Sequence, residues 1–437
     1  MDRILDFIIL YFHSTMRVRI VFLMVLIFIF SNAYPQKEAN VWYFGSYSGL
    51  DFNGGEPEVL DGMFSSLGSC STMSDSDGNF LFTTNGEKIW NRDKQIMMNG
   101  SGLKGDDRSS QGVLILQKPG SENLYYVFTT AFADGNLADF GLYYSIVDMN
   151  LDNGLGGVTS DKNVLLLDAW DAAEKIVACK QENSENIWVI TRKFYNDGYA
   201  AFLLTSEGVN TNAVFSPSID RPYDLVGGNM KISPDKKHLV AAYSTDQPAT
   251  NTKPDFEICN FNVQTGEIIL LYTVRHGTPG TYGEPDGVEF SPDSKLLYLS
   301  VFDEPNGVTK LFQYDMQYYE DSTQFVKSKI NIATGPANGL QLATDGKIYT
   351  SSDYILYYPF ISVINKPWKR GLACYFEADA IDLSPGKVGA FLPNILLDYL
   401  YRFEWQGRCQ SEPFQFQSNF QPVPTLISWD FGDPGSG

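Results

Sequence analysis

One phrase returns along this chain, and it constrains the fold more than any other feature of the sequence. Met73–Thr84 reads MSDSDGNFLFTT, Ile232–Tyr243 reads ISPDKKHLVAAY and Phe290–Val301 reads FSPDSKLLYLSV. Leu342–Ser352, one residue shorter, reads LATDGKIYTSS. Each copy is an apolar residue, a tight polar turn and a strand apolar on both faces. That is a β-hairpin repeated at a roughly regular period, the signature of a propeller or a solenoid. Leu116–Thr130 and Ala178–Thr191 follow the same plan with different turns. Hairpins therefore start near residues 73, 115, 178, 232, 290 and 342, at steps of about 42 to 63 residues, as expected of four-stranded blades with variable loops.

Strand texture favours blades. Leu124–Phe128, Ile187–Ile190 and Leu296–Leu299 are apolar at every position, which is how a strand reads when both sheet faces are covered. Pro234-Asp235 and Pro292-Asp293 set a fixed φ in the turn, and Asp77-Gly78 and Asp345-Gly346 supply an easy positive φ. Short strands before the first hairpin (Val41–Phe44, Gly49–Phe52, Glu58–Leu60) and after the last (Asn394–Tyr401) are left over. Joined, they make a seventh blade built from both chain ends, and closure removes free sheet edges. The predicted fold is an all-β, seven-bladed propeller over residues 40–402.

The chain opens with Arg17 and Arg19 ahead of the apolar run Ile20–Phe30, then Ser31-Asn32-Ala33. Charged start, short apolar stretch and small-residue exit form a secretory signal peptide over residues 1–33, with Met16 an alternative start. The run is short for a spanning helix, which needs roughly 20 residues; an uncleaved anchor is the other reading. No membrane-spanning segment is expected after cleavage, and the location expected is secreted or on the outer cell surface. A net charge of −20 argues against nucleic acid as a partner. Cys70, Cys179, Cys259, Cys374 and Cys409 show no C-x-x-C spacing, so no zinc or redox centre is predicted. No cofactor is expected.

Asn40–Gly45 with Gly49–Asn53, Thr72–Phe82, Ile89–Arg92, Gly141–Met149, Gly287–Pro292 and Leu392–Asn394 together resemble the seven-bladed propeller of large exported surface proteins of gliding-type bacteria. Trp429-Asp-Phe-Gly-Asp433 resembles the W-x-F-G-D signature of PKD domains, immunoglobulin-like sandwiches that commonly follow this propeller, although Pro434 stands where that pattern usually has Gly. The resemblance implies a linker at 403–413 and the truncated start of a PKD domain at 414–437. A type IX secretion sorting domain further on is likewise what the resemblance implies.

Catalytic chemistry is sparse in the sequence. After the signal peptide only His238 and His276 remain. His238 follows a turn of the repeated phrase, where a polar residue is expected. His276 lies in a loop between blades with no Ser elbow or paired carboxylate beside it. Asp75-Ser-Asp77-Gly78-Asn79 looks like the start of a calcium loop but runs into a strand instead of distal ligands, so it reads as a hairpin turn. Gly105–Arg108 reads as a solvated loop, with ion binding the alternative; no metal site is predicted. Asn229, Asp286 and Asn338 each precede an innermost strand, so equivalent positions would ring one channel mouth as ligand-binding residues. Loop capping is the competing reading, and Trp170 and Tyr282 are further loop aromatics. The leading expectation is a non-enzymatic binding or adhesion module for extracellular protein or polysaccharide. The alternatives are a propeller hydrolase or lyase, acting on extracellular polysaccharide or a small ligand in the channel, and an architectural spacer in a large adhesin.

Overall fold

The computed structural model describes residues 37–401 except 132–140, 169–171, 194–197, 219–226, 245–255, 275–282, 304–307 and 353–357, together with 403–406 and 415–418. The chain forms two units, Met1–Pro35 and Gln36–Gly437, and all described residues belong to the second. The expected signal peptide, the W-x-F-G-D signature, Trp170, His276 and Tyr282 lie outside the described residues.

The fold is all-β and propeller-like. β1 (Val41–Phe44), β2 (Ser46–Asp51) and β3 (Glu58–Ser65) make a three-stranded sheet. β4 (Ser71–Ser74), β5 (Phe80–Thr84), β6 (Lys88–Asn91) and β7 (Ile96–Ser101) form an antiparallel run. β8 (Val113–Gln117), β9 (Leu124–Thr129), β10 (Leu142–Asp148), β11 (Gly157–Val158) and β12 (Val164–Leu167) form the next, and β11 joins the two runs through β7. Four four-stranded meanders follow. They are β13 (Ile176–Lys180), β14 (Ile187–Arg192), β15 (Gly198–Thr205) and β16 (Gly208–Pro217); then β17 (Met230–Ile232), β18 (His238–Ala242), β19 (Phe256–Phe261) and β20 (Ile268–Val274). The third is β21 (Gly283–Phe290), β22 (Leu296–Asp303), β23 (Val308–Asp315) and β24 (Ile330–Thr334). The fourth is β25 (Leu340–Leu342), β26 (Ile348–Thr350), β27 (Phe360–Ile364) and β28 (Phe376–Asp382). β29 (Phe403–Gln406) and β30 (Gln415–Ser418) pair with each other, so the stretch expected to open as a linker opens as a strand. The one described α-helix, α1 (Ser322–Lys327), is capped by the Asp321 carboxylate on two backbone N–H groups. No helix among the described residues is long and apolar enough to cross a membrane.

The repeated phrase builds the same hairpin turn twice in atomic detail. Ser233 Oγ donates to Asp235 (2.6 Å) and accepts from the His238 N–H (2.9 Å). Ser291 does the same with Asp293 (2.7 Å) and Leu296 (2.9 Å). Both turns then need one left-handed residue, Lys236 at φ 56° and Ser294 at φ 61°. The shorter copy, Leu342–Ser352, places Gly346 there, where a missing Cβ removes the strain. Second strands are sealed on both faces, as their texture requires: every residue of β14 and β18 is buried.

The closing segment differs from expectation. Lys387 exchanges both backbone hydrogen bonds with Ser46 at the start of β2 (2.8 and 2.9 Å). Beyond it the chain leaves sheet pairing. Ala390 accepts from Gly339 ahead of β25 and donates to Leu67 ahead of β4. The Asn394 amide donates to Val113 O of β8 (3.0 Å) and Ile176 O of β13 (2.8 Å) and accepts from Gln111 (3.1 Å). Leu397–Leu400 is a 3-10 turn, not a strand, and Leu396, Leu397, Tyr399 and Leu400 share one core with β13, β17 and β25 residues. One segment reaches so many first strands only by lying on the axis they surround. An apolar run without alternation, as in Ile395–Leu397, does not distinguish a strand from a buried turn.

Candidate functional site

The three residues predicted to ring a mouth do sit together. Asn229 N–H donates to Asp286 O (2.7 Å), and Gly287 is pressed so close to Asn338 O that no Cβ fits. Their polar atoms serve the backbone: Asn229 Nδ2 reaches Ser110 O (3.5 Å) and Asn338 Nδ2 reaches Ala390 O (3.2 Å). Asn229 and Asn338 are buried, and Asp286 is half-buried. Asn394, Gln111 and the Gln111 bond to Met230 N–H (2.7 Å) cross the axis at this end.

Beneath that end lies a sealed ionic network between the β13–β16 and β17–β20 sheets. Lys175 is fully buried and donates to Gly227 O and Ala242 O (both 2.7 Å). Burial drives its pKa down to about 7 against the pull of Glu174. Arg192 donates to Tyr243 Oη (3.0 Å), Gly198 O (2.7 Å) and Glu257 (3.4 Å). Glu257 also accepts from Tyr199 (2.5 Å) and Ser218 (2.8 Å). These bonds hold the groups to one another and to the backbone, which is the pattern of a structural network.

A different place offers open space. At the opposite ends of the first strands, a cavity of about 610 Å³ lies between the turns of two phrase copies, the Asp315–Tyr319 corner and Trp368–Arg370. Its volume is within the usual range for small-molecule sites, about 300–1,000 Å³. Asp235 and His238 come from one copy, Asp293 and Lys295 from the next. Asp235 N–H donates to Ser294 Oγ (2.9 Å), which ties the two turns together. Asp315 is gripped by Arg370 (2.8 Å) and by Gln317 Nε2 (2.7 Å).

His238 is the distinctive member. It is 8% exposed, and its Nδ1 has no hydrogen-bond partner. Asn260 bonds the ring, so Nε2 carries that contact and Nδ1 keeps a lone pair. Burial lowers the imidazole pKa against Asp235 and Asn260, and Lys237 lowers it further. A neutral imidazole nitrogen with a lone pair can accept a proton, and here that nitrogen is sealed from solvent. His238 follows the turn as expected and is buried there; in the neighbouring copy its place is filled by Leu296. That exchange of an apolar residue for an imidazole is the signal the sequence carried.

Among the described residues, Glu87, Asp106 and Asp107 bring carboxylate oxygens within 4.8 Å of one another. Burial and the two neighbours raise Asp107 to about 6. In the Gly105–Arg108 loop, Gly105, Asp106 and Asp107 are half-buried and Arg108 is exposed, paired to Asp106 (2.7 Å). Asp75 accepts from Asp77 N–H and Asn79 N–H (3.0 and 2.8 Å), as a hairpin turn does.

No protein-family model matches the chain, and no curated protein is significantly similar to it. Solved structures share its fold at low identity. A periplasmic gluconolactonase from Pseudomonas aeruginosa is 9% identical, with 86% of this chain and 98% of that one covered and a TM-score of 0.48. A putative 6-phosphogluconolactonase from Bacteroides uniformis is 14% identical, covering 75% and 78%, at 0.37. An oligogalacturonate lyase in complex with manganese is 12% identical, covering 58% and 83%, at 0.29. These likenesses are of fold. Where a non-catalytic binding module was expected, the proteins that share the arrangement are titled as lactonases and a lyase.

Proposed function

We propose that this chain is a propeller hydrolase acting on a sugar-derived ester or lactone, with His238 as general base in the cavity between the two phrase turns. The observation that carries the reading is the neutral imidazole with an unpartnered Nδ1 beside a cavity of ligand size. In the reaction, Nδ1 takes a proton from water and the resulting hydroxide attacks the acyl carbon. The ester C–O bond then breaks, and the imidazolium returns the proton to the leaving alkoxide. Lys237, Lys295 and Arg370 are the cations at hand to offset the charge that forms on the acyl oxygen. Trp368 offers a flat apolar face, while Asp235 and Asp293 offer acceptors for hydroxyls, a combination suited to a sugar ring. Lactone hydrolysis is the activity named in the titles of two of the solved structures.

The alternative of a ligand in the central channel gives way to this cavity, because residues 390–401 occupy the axis. We also read the ring as seven-bladed, with Lys387 bridging to the β1–β3 sheet through Ser46, and the chain as exported by its basic and apolar start. A PKD-type module after the propeller and an outer-surface location remain part of this reading, supported by the sequence resemblance.

The test is hydrolysis of a panel of sugar lactones and acetylated sugars by the purified chain, with His238→Gln beside it. The substitution is expected to lower kcat by about 10²–10⁴-fold. Equal rates for the two proteins, or no turnover of any substrate, would sink the proposal.

A further inference from the structure

His238 Nδ1 is shielded as well as unpartnered. The Tyr319 ring lies over the imidazole, with centroids 4.4 Å apart and planes inclined by 55°. The tyrosine stands at the end of the Met316–Tyr318 turn, half-buried, on the rim of the cavity. Its hydroxyl bonds only the exposed Glu320 beside it (3.1 Å) among the contacts seen. The ring that covers the imidazole is thus held by this tilted contact, by one edge against the core around Val240, Tyr314 and Phe325, and by one solvent-exposed hydrogen bond. The backbone beneath it is fixed independently: Tyr319 N–H donates to Met316 O (3.1 Å), and Asp315 caps the turn on Gln317 N–H. None of these backbone bonds involves the Tyr319 ring.

We propose that Tyr319 is the specificity-determining residue of this site: a substrate reaches His238 by displacing its ring. The inference rests on the hydrolase reading for its functional meaning but not for its geometry. It names a ligand class as well. What replaces an aromatic ring 4.4 Å from an imidazole is another ring with an apolar face, and the unpartnered Nδ1 accepts from a water or hydroxyl carried with it. A pyranose or a sugar lactone has both features. A linear acyl chain has neither.

Diethyl pyrocarbonate reads the gate without a substrate. The lone pair of a neutral imidazole nitrogen attacks a carbonyl carbon of the reagent, the anhydride C–O bond breaks and ethyl carbonate leaves, so the rate reports access to a neutral ring. Modification is followed by mass spectrometry of the peptide containing His238. Tyr319→Ala is expected to raise the rate about tenfold, the factor that corresponds to losing one aromatic contact. Tyr319→Phe keeps the ring and the wild-type rate, and Tyr319→Trp gives a rate no higher than wild type. An unchanged rate in the alanine variant, or a phenylalanine variant as reactive as alanine, overturns the gate. Absence of hydrolysis in every variant, with the labelling series as expected, would count against the hydrolase and leave the gate standing.

Discussion

Asp398 tests whether the axial segment holds the ring together. Its Oδ2 accepts from Lys180 N–H at the end of β13 (2.7 Å), and its Oδ1 accepts from Lys236 Nζ (2.5 Å). Lys236 also donates to Lys180 O (3.1 Å), so three pieces of chain meet at one carboxylate. The side chains of Asp398 and Lys236 are 16% and 24% exposed, enough shielding for the pair to matter and enough access for Lys236 to find water when released. In Asp398→Asn the amide oxygen still accepts from Lys180 N–H, and one charge-assisted bond is lost, at about 1.5–3 kcal/mol. In Asp398→Ala the Lys180 N–H also loses its partner, which adds about 1–3 kcal/mol. Guanidinium unfolding at constant pH measures both, and the double-mutant cycle with Lys236→Met isolates the pair. For a domain of this size each kcal/mol shifts the melting temperature by only about 1–2 °C, so chemical denaturation is the sharper assay. The order expected is wild type, then asparagine, then alanine. Asparagine and alanine variants equal to wild type would refute the claim that this carboxylate fastens the axis.

Three further outcomes follow from the buried groups. The imidazole pKa of His238 is lowered on folding, so the unfolded chain binds more protons between the folded value and 6.5. Stability should therefore fall as pH drops through that window, kcat/KM should fall below the folded value, and His238→Gln should flatten the stability slope in equilibrium unfolding. Lys175, lowered from 10.5 to about 7, gives stability that rises with pH between those values, and Lys175→Met should abolish that rise in a pH series of denaturation midpoints. Glu257→Gln leaves the Arg192 cation without its buried counter-charge and should cost about 3–5 kcal/mol, while Arg192→Met with Glu257→Gln should lose less than the two singles summed.

Local chemistry was legible and convergence was not. The Ser-Pro-Asp turns and the sealed second strands follow from a few neighbouring residues, whereas the backbone partners of Asn229 and Asn338 lie 119 and 52 residues away. The cavity does not: it joins residues 235–238, 293–296, 315–319 and 368–370, and nothing local says that they meet. His238 was visible only as a substitution in a repeat, and repeats are read for what they share. The Arg192–Glu257 pair spans 65 residues and two sheets. Asn394–Tyr401 misled because a run apolar at nearly every position suits a covered strand and a buried axial turn equally well. The sites a ring creates are properties of its closure, and closure has no local sequence code.

That closure also sets an order of events during synthesis. Asn394 bonds Val113, 281 residues earlier, and Ser48 Oγ donates to Lys387 O across 339 residues. Such separations make native contact formation slow. The segment that fills the axis leaves the ribosome after every sheet it fastens. Until then, the first strands border an empty lumen and the β1–β3 sheet lacks its Lys387 partner. Strand edges of this kind recruit other chains, so the nascent ring is exposed to aggregation for nearly the whole of its translation. It is relieved by one short stretch that arrives last.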